Sequence, residues 1–345
     1  MKVRKYVIWT IGFLCSCLFI SLVSLVFVNS ITPLEWDESL SQYVPQSGVF
    51  KRHRSEGWSD TLMGRHGLTA YGERIATQSP RKFIFWGDSY ADAVQIPQEK
   101  RAMSLFNSMA AGIQGFTVAG GGRGCADYLF NIPLYEKAFE GIEGHVILLT
   151  DLEDITPGKQ VPGHSLFLLN PLRFENVPRK PSRMALDWAF IVHQLKADFL
   201  HEPYKTIKNH RWQLFSNSPQ RQSTKPLKLS QKTLTKAWEY LLSCFKKQTQ
   251  GFVVFVYVPS GPGLVNGEVI LADSKFALKE KFRLACAKEG VGFVDLSQSF
   301  VSLYTKQGRL PRGFFNTPQG SGHLNEDGQR IIAEELRAFF DREGL

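Results

Sequence analysis

Two side chains far apart in this chain are placed to do chemistry together. Ser89 ends the run Arg81-Lys82-Phe83-Ile84-Phe85-Trp86-Gly87-Asp88-Ser89. Four apolar residues bounded by charge and by Gly-Asp read as a buried strand entering a tight turn. A serine at the carboxyl end of a central strand stands where ligands bind in open α/β sheets. The spacing of Glu99, Ala102, Met103, Leu105 and Met109 after Pro97 predicts a following helix. The N-terminal amides of such a helix favour negative charge above Ser89. Far downstream, His323 lies in Gly320-Ser321-Gly322-His323-Leu324-Asn325-Glu326-Asp327-Gly328, just ahead of a predicted final helix. Folded back onto Ser89, its imidazole would act as the general base that makes a hydroxyl nucleophilic.

Gly87-Asp88-Ser89 early and His323-Leu324-Asn325 with Gly328 late resemble the SGNH/GDSL hydrolase family, a set of serine esterases and acyl transferases. The resemblance implies a flavodoxin-like fold, Ser89 and His323 as catalytic residues, and an oxyanion hole that includes the Ser89 amide. It implies the Gly124 amide as a second oxyanion donor, by its distance from the strand around Phe116. The family asparagine five residues earlier is Ala119 here. The third donor, usually an asparagine before an aspartate, falls on Glu153 before Asp154. A carboxylate aimed at an oxyanion repels it unless burial keeps it protonated, and losing one donor costs about 3 kcal/mol of barrier. The family aspartate three residues before the histidine, which holds the imidazole tautomer, is replaced by Gly320. Asn316, Gln319 or a backbone carbonyl remain as groups to orient His323, giving a Ser–His dyad or incomplete triad. Asp88 reads as a turn-former and Asn325 as a supporting residue at the start of the last helix.

The elements that must position these groups alternate between strand and helix. Strands are expected around Phe83, Phe116, Val146, Phe252 and Phe293, with Phe252–Val258 the most hydrophobic and hence central. Helices are expected over Ser230–Gln248, over Lys275–Lys288 ended by Gly290, and from Asn325 onward. This is the pattern of an α/β protein, a three-layer α/β/α domain with a five-stranded, mainly parallel sheet. The glycine-rich Ala119–Gly124 lacks a Gly-Lys-Ser/Thr ending and reads as a tight turn rather than a phosphate loop. Residues 158–229 read as an insertion. In it Ser182 caps a helix bearing Leu186, Phe190, Val192, Leu195 and Phe199, followed by a basic run from Lys205 through Lys208, Arg211, Arg221 and Lys225 to Lys228. That run is either solvated surface or a lid gripping an anionic headgroup or acidic glycan.

Residues Tyr6 to Val28 carry no charge and are long enough to cross a bilayer once. Lys2, Arg4 and Lys5 precede the segment and Glu35, Asp37 and Glu38 follow it, so the N-terminus should stay cytoplasmic. The rival is a signal peptide cleaved near Val28-Asn29-Ser30, but the apolar run is long for that. The expected organisation is residues 1–30 as basic end and anchor, 31–80 as juxtamembrane lead-in, and 81–345 as the catalytic domain. It would sit in a bacterial inner membrane with the domain in the periplasm. A net charge of +9 suits anionic headgroups or acidic polysaccharide, and export argues against nucleic acid. Cys125, Cys244 and Cys286 make no CxxC or Cys/His spacing and read as buried thiols, and no metal site or cofactor is expected. The expected activity is that of an esterase or O-acyl transferase on a cell-envelope glycan or lipid ester. The alternative is a catalytically degenerate module that binds glycan or scaffolds envelope assembly.

Overall fold

A computed structural model describes residues 2–109, 112–158, 164–177, 181–200 and 229–345. Its centre is one sheet of five strands, Lys82–Gly87, Gln114–Ala119, Ile142–Leu149, Phe252–Tyr257 and Gly292–Asp295. All neighbours are parallel. Their order across the sheet is second, first, third, fourth, fifth, the flavodoxin-like order expected. The strand order reverses between the first and third strands, so the connections leave in opposite senses and open a crevice at the carboxyl ends.

Side chains alternate across the sheet, so each face has its own core. Phe83 and Phe85 point into a layer with Phe106, Phe300, Ile332, Leu336 and Phe340. Ile84 and Trp86 point into the other, with Leu129, Tyr135, Trp238 and Phe282. Helices Ala102–Met109, Ser297–Gln307 and Glu326–Glu343 cover the first face; Ala70–Gln78, Cys125–Ala138, Gln231–Gln248 and Phe276–Glu289 cover the second. Helix starts at Ser230 and Asn325 and the stop at Gly290 (φ 66°) fall where capping chemistry put them. The helix expected right after Pro97 starts later, because residues 98–100 form a 3₁₀ turn and Arg101 is extended. Cys125–Ala138 carries no clean apolar stripe and contains Pro133, so its periodicity is not visible in the sequence.

Ahead of the sheet lie a 26-residue helix, Lys2–Phe27, and two antiparallel ribbons, Leu34–Asp37 with Gln42–Pro45 and Phe50–His53 with Ser59–Leu62. The helix contains a stretch, Arg4–Ser24, of mean hydropathy 2.2, long and apolar enough to span a membrane or to be a signal sequence. Between the third and fourth strands of the sheet, Ser182 caps the helix Arg183–Gln194 as expected. The buried side differs from expectation: Ala189 and Val192 pack with Ile31, while Phe190 and Leu195 are exposed. The small Ala189 lets the helix approach the chain after the N-terminal helix, which turns the larger side chains outward. The basic run from Lys205 to Lys228 lies outside the described residues. Cys125 and Cys286 are buried and Cys244 half-buried, all as free thiols. Burial pushes the Cys125 thiol well up from its usual range.

Candidate active site

The first strand is buried from Lys82 to Gly87 and delivers Ser89 to the crevice. Gly87 is needed there, since a Cβ would stand 2.3 Å from that of Ala91 in the turn that follows. Asp88 caps that turn, accepting from the Tyr90 amide at 2.9 Å and from the Thr150 hydroxyl at 3.1 Å. Thr150 directly follows the third strand, so Asp88 ties the two lips of the crevice together. Burial raises the Asp88 carboxyl, with the two hydrogen bonds and the nearby His323 opposing it. Only one helical turn, Ser89–Asp92, follows before Ala93 adopts a left-handed conformation.

His323 meets Ser89 as anticipated: Nε2 lies 2.8 Å from Oγ. The group that holds the imidazole was missed. It is Glu56, whose Oε2 faces His323 Nδ1 and whose Oε1 accepts from the His323 amide at 2.7 Å. A carboxylate can only accept, so Nδ1 carries the ring proton and Nε2 is left to accept from the serine hydroxyl. Neither Asn316, Gln319 nor a carbonyl orients the ring. Asn316 instead clamps the turn that carries Glu56, accepting from the Gly57 amide at 2.8 Å and donating to the Arg54 and Gly57 carbonyls at 3.0 and 3.2 Å.

The geometry explains why the acid comes from elsewhere. Gly320 has φ 73°, and a Cβ there would lie 2.9 Å from the Leu264 amide nitrogen, so an aspartate at this position would be strained. Gly322, at φ 73°, leaves the space Glu56 occupies; a Cβ would stand 2.2 Å from Oε1. The Tyr90 ring packs on His323 with centroids 4.7 Å apart, its hydroxyl donates to the Gly322 carbonyl at 3.2 Å, and the Arg312 guanidinium lies over the ring at 5.2 Å. Asn325 caps the last helix through the Asp327 and Gly328 amides and donates to the Leu310 and Gly313 carbonyls. It thereby pins the loop before His323 and touches neither Ser89 nor the imidazole.

The other two expected oxyanion donors stand differently. The Gly124 amide is donated to Asp127 Oδ2 at 3.1 Å, as the cap of the helix Cys125–Ala138. A cavity of about 300 Å³ at the mouth of the crevice is lined by Asp88, Tyr90, Gly122, Arg123, Thr150, Asp151 and Asp154, and Ser89, His323, Gly124 and Glu153 all lie outside this lining. The Glu153 amide bonds Asp151 in a 3₁₀ turn, Leu152–Ile155. Arg123 also borders a larger cleft of about 640 Å³, where Trp36, Tyr43, Gln42, Asn131 and Lys51 contribute to the walls. Among the described residues no group of His, Cys, Asp and Glu could hold a metal ion.

The strand order, a serine after the first strand and a histidine before the last helix make an SGNH/GDSL-type arrangement. No protein-family profile matches the chain, and no curated protein does. Solved structures similar to it include a member of the lipolytic protein G-D-S-L family from Veillonella parvula, with a TM-score of 0.40, 11% identity, and 76% of this chain and 99% of that one covered. An acetyl xylan esterase gives 0.38, 13%, 75% and 98%. An extracellular lipase from Streptomyces rimosus gives 0.37, 12%, 75% and 99%. The likeness is partial and concerns the fold.

Proposed function

We propose that the chain is a membrane-anchored serine hydrolase or O-acyl transferase acting on a carboxylic ester through Ser89, His323 and Glu56. The observation that supports this best is the continuous relay from the serine hydroxyl to imidazole to carboxylate at the switch point of the sheet. Ser89 Oγ attacks the acyl carbon as its proton passes to His323 Nε2. Collapse of the tetrahedral intermediate breaks the ester bond, and His323 returns the proton to the leaving alkoxide oxygen. Water or a second hydroxyl then loses its proton to His323 and takes the acyl group; the bond to Ser89 Oγ breaks as His323 returns the proton to that oxygen. Glu56 keeps the tautomer and stabilises the imidazolium without itself taking the proton. The Ser89 amide, at the start of a helical turn, is the natural oxyanion donor. Gly124 would have to exchange Asp127 for the oxyanion before its amide could help.

The larger cleft suits a polar acceptor. Aromatic faces at Trp36 and Tyr43, with amides at Gln42 and Asn131, fit a sugar ring better than a long acyl chain. A glycan ester of the cell envelope, reached from a periplasmic domain on a single inner-membrane span, is therefore the preferred substrate, and a lipid ester the second. The engaged Gly124 amide favours one competing reading, a non-catalytic glycan-binding module. Labelling of the full chain in detergent with a fluorophosphonate probe separates the two. The enzyme reading expects labelling of wild type that vanishes in Ser89→Ala; a folded wild type that takes no label supports the binding module.

A further inference from the structure

The turn that carries Glu56 is held by the end of the N-terminal helix. Arg54 is buried and its guanidinium donates from Nε to the Val26 carbonyl in the helix's last turn at 2.7 Å. Nη1 donates to the carbonyls of His53 and Ser59, at 2.9 and 2.7 Å, the two residues that close the ribbon on either side of the turn. Nη2 pairs with Asp60 at 2.6 Å. Asn29, two residues beyond the helix, adds a second tie. Its Oδ1 accepts from the Arg54 and Ser55 amides at 2.6 and 3.3 Å, and its Nδ2 donates to the Ser55 hydroxyl at 3.2 Å. Trp58, on the far side of Glu56, lies under the Arg54 guanidinium at 4.4 Å and edge-on to Phe27 at 5.8 Å. Glu56 thus sits in a turn braced on one side by the helix end and on the other by Asn316.

We infer that the end of the N-terminal helix is a structural part of the active site, with Arg54 and Asn29 as positioning residues that act through Glu56. The inference rests on the reading of Glu56 as the acid of the relay. The fixed turn is what lets one carboxylate meet both the amide and the ring of His323, a bidentate grip that tolerates little displacement. Arg54 cannot be replaced by lysine in this role, because a single ammonium cannot reach three carbonyls and a carboxylate in one plane. A chain cleaved near Val28-Asn29-Ser30 would lose the Val26 carbonyl and with it the brace.

The test uses the full chain in detergent, with histidine labelled by nitrogen-15, in Arg54→Lys and, as the milder change, Asn29→Ala. The first readout is the low-field Nδ1–H resonance of His323, assigned by its loss in Glu56→Gln. It requires no activity, so it separates failure of the brace from failure of the hydrolase reading. The expected result is loss or upfield movement of that resonance. With p-nitrophenyl acetate, kcat falls on the order of 10²-fold and KM stays within about twofold. In a Glu56→Gln background the same substitutions leave kcat unchanged. A resonance unmoved in both single variants would overturn the inference. So would a further fall of kcat in the Glu56→Gln background, which would mean that the two residues act by another route.

Discussion

At position 56 a carboxylate reaches His323 from more than two hundred and sixty residues upstream, and its effect is measurable. Glu56→Gln presents an amide where the ring needs a charged acceptor, so the imidazolium loses its partner in the transition state. The expected outcome is a fall in kcat of about 10³-fold or more with KM little changed, read with p-nitrophenyl esters. A variant within a few fold of wild type would show that the relay ends at the histidine. Asp88 gives a pH test. Its carboxyl is raised in the folded chain, so the fold binds this proton more tightly than the unfolded chain does. Stability from this residue is therefore present in acid and lost as pH climbs from the unfolded aspartate value near 4 through the raised folded value. Asp88→Asn keeps an acceptor for the Tyr90 amide and has no charge to bury. Its urea midpoint should rise relative to wild type over that window, and a gap that does not change with pH would contradict the assignment. Ser89 and His323 were legible because each sits in a short motif beside a recognisable element. Glu56 was not, since one glutamate in a polar stretch has no local signature and its role exists only through the turn at Gly57 and the space left by Gly322.

Elements with a cap and a stripe were readable; elements without them were not. The last helix announces itself by Asn325 and by Ile331, Ile332, Leu336 and Phe339 at helical spacing, all buried as expected. Removing the Asn325 side chain takes away the cap and two bonds to the preceding loop. Asn325→Ala should cost about 2 kcal/mol in a denaturant titration while fluorophosphonate labelling of the folded protein persists. A cost near zero would mean that the loop before His323 is held by other contacts. Helix Cys125–Ala138 was hidden for a physical reason. It packs against the sheet core, the helix Gln231–Gln248 and the strand Leu166–Leu168, so its apolar residues are spread around the helix instead of forming one stripe. The two ribbons before the sheet were equally obscure, being four-residue strands whose pairing depends on turns rather than on apolar alternation.

For the whole molecule, the arrangement that matters is the N-terminal helix joined to the crevice through a few residues. Basic residues before the helix and acidic ones after it favour a cytoplasmic N-terminus. In a bacterial host, alkaline phosphatase fused after Leu345 should be active and a fusion within residues 2–5 inactive; the opposite pattern would reverse the proposed topology. The five strands and their parallel sense were readable from apolar runs separated by helical ones, because parallel strands are buried on both sides and need no alternation. Their order was implied only by the resemblance, and the middle strand is Ile142–Leu149 rather than the more hydrophobic Phe252–Tyr257. The association of the lead-in with the domain was not readable, because ribbons and turns leave no long-range mark in composition.

Glu56 and Ser89 come from the first third of the chain and His323 from its final part, where it precedes only one helix. A polypeptide still being synthesised or threaded across a bilayer therefore carries its nucleophile without its base. On the proposed reading, the relay is complete only once the C-terminal helix has seated against the sheet and brought His323 to Ser89.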